Sequence, residues 1–219
     1  MPPFLIVSAF GPELTPFRPD GQGRVELDAQ RREALCVAVG IGPVDAALGS
    51  ARALARVGPS FVVFSGTCGA YPGSGVAVGE VVVARSVHFG DGARALGLGA
   101  MPDAQRRRLE PEGGWAEPFR RAGARPADVL TLAAITTDAR LAAELARESG
   151  CACEHLEAFA VAAACDAAAV PWACVLGVAN LVGPGARAEW LRHHHDASRL
   201  AADVVRAGLA AMAARDGGA

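Results

Sequence analysis

The chain has 219 residues, enough for one domain that buries most of its apolar side chains. Hydrophobic residues make up 52% and charged residues 20%, which excludes a disordered chain, and a net charge of −2 gives no electrostatic basis for nucleic acid or an anionic membrane as partner. All 21 basic residues are arginine, so lysine Schiff-base chemistry and a Walker-type phosphate lysine are both excluded.

In chain order, the apolar run FLIVSAF (4–10) reads as a strand buried on both faces. No basic n-region precedes it, which predicts a cytoplasmic protein. ALCVAVG (34–40) repeats the pattern, and 41–58 reads as a helix closed by Gly58. FVVFSGTCGA (61–70) is a strand entering a glycine-rich turn, and 79–90 is a further strand. From 92 to 127 glycine, proline and arginine break the pattern, predicting loop with one short helix. A strand over 129–137, a helix over 139–150, a largely apolar helix over 156–170, a last strand over 172–180 and an amphipathic helix over 198–215 complete the chain. Alternating strands and helices predict an α/β fold: one domain over 1–219, with a mostly parallel central sheet flanked by helices on both faces. The six cysteines lie mainly in apolar runs without Cys-x-x-Cys spacing, as buried free thiols do.

Five features bear on chemistry. GIGPVDAA (40–47) has Gly-x-Gly after a strand, but Asp45 occupies the third glycine position of a dinucleotide fingerprint; a tight strand–helix turn is the plainer reading. SGTCGA (65–70) is a turn in which backbone N–H groups and Thr67 can approach a ligand oxygen. Glu13 follows the first strand, and Glu157 opens an apolar helix, either favouring its dipole or gripping vicinal sugar hydroxyls. Asn180 ends the last strand, as an Asx turn or as an amide facing a ligand. His193, His194 and His195 are consecutive and cannot all face one ion, so they read as a solvated run.

Taken in order, SAFGPEL, GIGPVDAA, FSGTCGAYPGSGVAVGEVVVA, HLEAFAVA and GVANLVG resemble the nucleoside phosphorylase and nucleosidase superfamily (purine and uridine phosphorylase family 1). The resemblance covers most of 4–182, is weakest over 92–127, and implies a nucleoside phosphorylase-like fold that works without cofactor or metal. It implies that Gly66, Thr67, Cys68 and Gly69 lie beside the ribose and the nucleophile. It places Glu157 on ribose hydroxyls, with His155 and Leu156 in the same motif, and Thr136, Thr137 and Asp138 where backbone contacts the purine. Phosphorylases of the family hold phosphate with an arginine three residues before the turn hydroxyl; that position is Phe64 here, and no arginine follows the first strand until Arg18. Glu13 matches the glutamate that activates water in the nucleosidases.

Glu13 and Asn180 are therefore the candidate catalytic residues of an N-glycosidase, with Asn180 assisting a departing 6-oxopurine where a proton-donating aspartate would serve adenine. ANLVG followed by GARAEW is most similar to the futalosine hydrolases of this superfamily, which release hypoxanthine in menaquinone biosynthesis. The alternatives are a methylthioadenosine/adenosylhomocysteine nucleosidase, a phosphate-dependent purine phosphorylase, and a non-catalytic nucleoside-binding member. The expected partners are a small purine nucleoside and a second copy of the chain in a homodimer or larger homo-oligomer.

Overall fold

The computed structural model describes residues 3–27 and 33–216. Strand β1 (Phe4–Ser8) lies between β3 (Glu33–Ala38) and β4 (Phe61–Ala70), parallel to both, with β2 (Arg24–Glu26) antiparallel on the outer side of β3. β4 then pairs in parallel with β9 (Trp172–Leu181), and β9 pairs antiparallel with β5 (Val81–Phe89). β5 continues in parallel to β7 (Arg125–Thr131), which pairs in parallel with β8 (Cys153–His155). β8 returns antiparallel to β4, and β6 (Arg108–Leu109) adds antiparallel to β5.

The sheet thus closes on itself through β4, β9, β5, β7 and β8 and is mixed: its long pairings are mostly parallel, as expected, but four short antiparallel pairings complete it, so it is not purely parallel. Strands buried on both faces read as continuous apolar runs whatever their direction, so the pattern that located them carried no information about polarity. The two faces feed separate cores. Leu5, Val7, Val62 and Phe64 pack beneath α1 (Pro43–Val57) and α5 (Ala158–Ala167), while Ile6, Phe61, Val63 and Val175 pack beneath α3 (Glu117–Arg121) and α6 (Ala186–Asp216). That alternation is the period-2 rule applied to a sheet covered on both sides.

Two glycines set how closely helices approach the sheet. A Cβ on Gly49 of α1 would stand 1.8 Å from the Val39 carbonyl oxygen, and one on Gly177 of β9 would stand 2.1 Å from that of Ala197. Several boundaries differ from those read in the sequence. The strand expected over 129–137 is β7, which begins at Arg125 and stops at Thr131, leaving Thr136 and Thr137 in the loop before α4 (Ala139–Ser149). The 92–127 segment holds α2 (Gly92–Ala95), β6 and α3, where one short helix was expected. The C-terminal helix starts twelve residues earlier than expected, at Ala186, so the histidine run is helical. The six cysteines are free thiols. No described helix is long and apolar enough to cross a membrane.

Candidate active site

A cavity of about 410 Å³ opens at the C-terminal ends of β1, β4 and β9. Glu13 enters it from a 3₁₀ helix (Gly11–Phe17) that directly follows β1. That helix is pinned from the far side by Arg206 of α6, whose guanidinium donates to the Phe17 carbonyl and lies over the Phe17 ring. The Glu13 carboxylate is 5% exposed and holds its orientation through three donors. The Ser8 hydroxyl donates to Oε2 at 2.5 Å, while the backbone N–H and the hydroxyl of Thr67 both donate to Oε1 at 2.9 Å. Burial pushes the carboxyl above its ordinary range, and these donors pull it partly back. Gly66 belongs to this arrangement without lining the cavity, since a Cβ there would meet Glu13 Oε2 at 3.1 Å.

The Thr67 hydroxyl has its direction fixed by a residue far along the chain. Trp190, on the second turn of α6, donates its indole N–H to Thr67 Oγ1 at 3.0 Å. An indole nitrogen can only donate, so the hydroxyl accepts from Trp190 and must spend its own proton on Glu13. The result is a directed chain, Trp190 to Thr67 to Glu13. Oε1 then carries two donors and Oε2 one, which leaves Oε2 as the oxygen with a lone pair to offer.

Glu157 occupies the N-cap position of α5, where a carboxylate favours the helix dipole, but it makes no side-chain cap bond. Its Oε1 instead accepts the Gly42 backbone N–H at 2.6 Å. Gly40 (φ +111°) and Gly42 (φ +83°) adopt backbone angles that side-chained residues avoid, and this is what turns that N–H toward the carboxylate. The Gly-x-Gly motif is thus a strand–helix turn whose free donor serves a site residue. Burial raises the Glu157 carboxyl to about 6.

His155 lies between the two carboxylates. Its Nδ1 accepts the Glu157 N–H at 3.0 Å and stands 3.1 Å from Glu157 Oε2, with the edge of its ring set against Phe64. Burial drives its pKa down to about 4, outweighing the attraction of Glu13. The imidazole is therefore neutral at neutral pH, its proton on Nε2, and its contact with Glu157 is not an ion pair.

Asn180 is 8% exposed and faces the cavity from the end of β9. Its Nδ2 donates to the Leu181 carbonyl at 2.9 Å, which fixes the amide's orientation and leaves one N–H and the Oδ1 acceptor free. A Cβ on Gly69 would come within 2.8 Å of that nitrogen, so glycine at 69 makes room for the amide.

Of the other expected residues, Thr67, Cys68, Gly69, Thr136, His155 and Leu156 line the same cavity. Thr137 and Asp138 do not. Both are exposed, and the Asp138 carboxylate caps α4 by accepting the Leu141 N–H. The histidine run lies along α6 with His193 and His195 exposed and His194 stacked on Trp190 at 4.2 Å. Among the described residues no group of three or more His, Cys, Asp or Glu could hold a metal.

The sequence reading did not pick out Phe10, Ile41, Ile135, Glu154, Val182, Ala186 and Arg187, which complete the lining with Ala9 and Trp190. Trp190 drew notice only as part of GARAEW, and its distance from Thr67 in sequence hid its partner. Glu154 carried a legible signal, a carboxylate directly after the apolar run CAC (151–153), the pattern of a polar group at the end of a buried strand.

A family model described as the phosphorylase superfamily matches residues 9–214. The chain belongs to the phosphorylase superfamily. One curated superfamily relative, a futalosine hydrolase from Thermus thermophilus, is 33% identical over 190 residues, covering 82% of this chain and 81% of its own. Solved structures share the superfamily fold at lower identity. A futalosine hydrolase mutant of Helicobacter pylori superposes with a TM-score of 0.84 at 14% identity, covering 95% of this chain and 99% of that one. A 5′-methylthioadenosine/S-adenosylhomocysteine nucleosidase from Colwellia psychrerythraea, in complex with adenine, gives 0.80 at 21%, covering 94% and 93%.

Proposed function

We propose that this chain hydrolyses the N-glycosidic bond of a purine nucleoside, with futalosine as substrate and hypoxanthine as leaving group. The observation that carries the reading is the Glu13 carboxylate, buried, oriented by three donors and left with a lone pair on Oε2. Such a carboxylate suits a general base for water. A phosphate dianion at the same place would need cationic donors. Arg187, on the first turn of α6, is the sole arginine among the described lining residues, and Phe64 stands where the phosphorylases carry theirs.

In this mechanism the C1′–N9 bond breaks as the sugar takes on oxocarbenium character, and its electron pair leaves with the base. Glu13 Oε2 accepts a proton from water as the oxygen bonds to C1′. Glu157 accepts hydrogen bonds from the ribose hydroxyls through its less encumbered oxygen, and Thr67 bounds the same face. The free N–H of Asn180 stabilises charge on the purine at N7 and O6. An amide donates a hydrogen bond and not a proton, so the base departs as an anion and is protonated by solvent. Charge spread over O6 and the ring makes a 6-oxopurine suited to that exit. Thr136, from the loop before α4, closes the base end.

The homodimer expectation has its support in Ile41 of the turn before α1 and Val44 and Leu48 on its first turns, with relative exposures of 61%, 69% and 54%, and in Ile135 beside the same cavity mouth at 56%. Sedimentation equilibrium of the purified chain tests it, and a monomer at micromolar concentration would refute it.

The deciding experiment incubates the enzyme with futalosine, inosine and methylthioadenosine, each with and without phosphate. Hypoxanthine release from futalosine, unaffected by phosphate, is expected. Strict phosphate dependence, or release of adenine alone, refutes the reading.

A further inference from the structure

Glu154 is a buried carboxylate that lines the cavity and has no part in the mechanism above. Strand register places it with care. On β4, Gly69 pairs with Glu154 of β8 on one side and with Asn180 of β9 on the other. Paired residues share a sheet face, so Glu154 and Asn180 flank the bare backbone of Gly69, their Cα atoms about 10 Å apart at twice the strand spacing. A planar bicycle lying over Gly69 would have one edge toward each side chain.

The Glu154 carboxylate is itself held. Oε1 accepts the Thr136 backbone N–H at 2.9 Å and Oε2 accepts the Tyr71 hydroxyl at 2.9 Å. The first bond changes what the base end of the cavity can offer. The family resemblance leads one to expect backbone contacts to the purine at Thr136, yet its N–H is already committed to Glu154. A donor that could serve the acceptor N1 of a 6-aminopurine is thereby withdrawn, and a carboxylate lone pair on Oε2 stands near it instead.

We infer that Glu154 is a specificity-determining residue, accepting a hydrogen bond from N1–H of a 6-oxopurine while Asn180 serves the O6/N7 edge. This deepens the proposed function and rests on the base binding over Gly69. The two side chains together present an acceptor for N1–H and a donor for O6 or N7, the complement of hypoxanthine. Adenine offers a lone pair at N1 and would face the carboxylate with like against like. Burial pushes the Glu154 carboxyl above its ordinary range, and a ligand N–H would offset the cost of keeping it ionised.

The test uses free bases and nucleosides with the full-length protein. Calorimetry on the wild type should find hypoxanthine bound at least ten times more tightly than 1-methylhypoxanthine or adenine. In Glu154→Gln, a substitution that keeps an acceptor for Thr136 and a partner for Tyr71, kcat/KM for inosine should fall about 100-fold, the scale of a lost hydrogen bond to a charged buried group. Turnover of adenosine should be unchanged or raised. Equal losses for both nucleosides would assign Glu154 a bracing role and overturn the inference, as would equal binding of hypoxanthine and 1-methylhypoxanthine by the wild type. If no nucleoside is cleaved but the bases are still discriminated at N1, the hydrolase reading fails and this one stands. Should Glu154→Gln not fold, the wild-type binding comparison decides alone.

Discussion

Replacing Trp190 with phenylalanine isolates one bond in the proposed catalytic arrangement. Phenylalanine retains a ring against Phe10, whose centroid lies 6.5 Å away, and against His194, but it has no N–H for Thr67. The Thr67 hydroxyl then loses the donor that fixed its direction and can turn away from Glu13. One neutral hydrogen bond contributes about 0.5–1.5 kcal/mol net, which corresponds to roughly 2- to 13-fold in rate. The loss should fall on kcat, with KM within about two-fold, because the bond orients the base and does not touch the substrate. Hydrogen bonding from Thr67 lowers the Glu13 carboxyl, so weakening it lets that carboxyl rise, and the acid limb of the pH–kcat profile should move to higher pH. Thr67→Val removes the hydroxyl altogether, and adding Trp190→Phe to it should change little more. Steady-state kinetics across pH for the two single variants and the double variant make the measurement. Additive losses in kcat, or an acid limb that does not move, would refute the directed chain.

Other outcomes follow from the same geometry. Asn180→Asp replaces a hydrogen-bond donor with a group able to transfer a proton, so the ratio of adenine to hypoxanthine release from the matched nucleosides should rise; an unchanged ratio removes Asn180 from base selection. The Glu157 carboxyl is raised in the folded state from 4.5 to about 6, so its contribution to stability is present below 4.5 and is lost as pH rises through 6. By linkage that is about 2 kcal/mol, so Glu157→Gln should lose about 2 kcal/mol more than the wild type between pH 7 and pH 4 in urea titrations. Parallel losses would contradict the shift. Gly177→Ala places a methyl 2.1 Å from a backbone oxygen of α6, and neither side can yield cheaply. It should cost at least about 3 kcal/mol, lowering Tm by roughly 6–12 °C; a shift under about 2 °C would mean that α6 slides freely on β9.

Much of the candidate site was legible because its residues sit where local patterns break. Glu13, Asn180 and Glu157 are each the polar residue that interrupts or ends an apolar run, and SGTCGA combines glycines with a hydroxyl at a strand end. Asp138, expected where backbone contacts the purine, lies outside the cavity lining, and its carboxylate accepts the Leu141 N–H at the start of α4. Glu154 and Trp190 escaped because their meaning lies in partners, Thr136 and Tyr71 for one and Thr67 for the other.

The sequence by itself determined the long strands and helices, though not the short strands β2, β6 and β8, together with the apolar faces and the absence of lysine chemistry, since these depend on periodicity and composition within short windows. Only the tertiary structure decided that β9 inserts between β4 and β5 to close a mixed sheet, and that α6 brings Trp190 to Thr67, 123 residues earlier. It also set Glu154 and Asn180 on either side of Gly69. Strand direction and cross-strand register come from packing both faces of the sheet at once, and no window of local sequence records that choice.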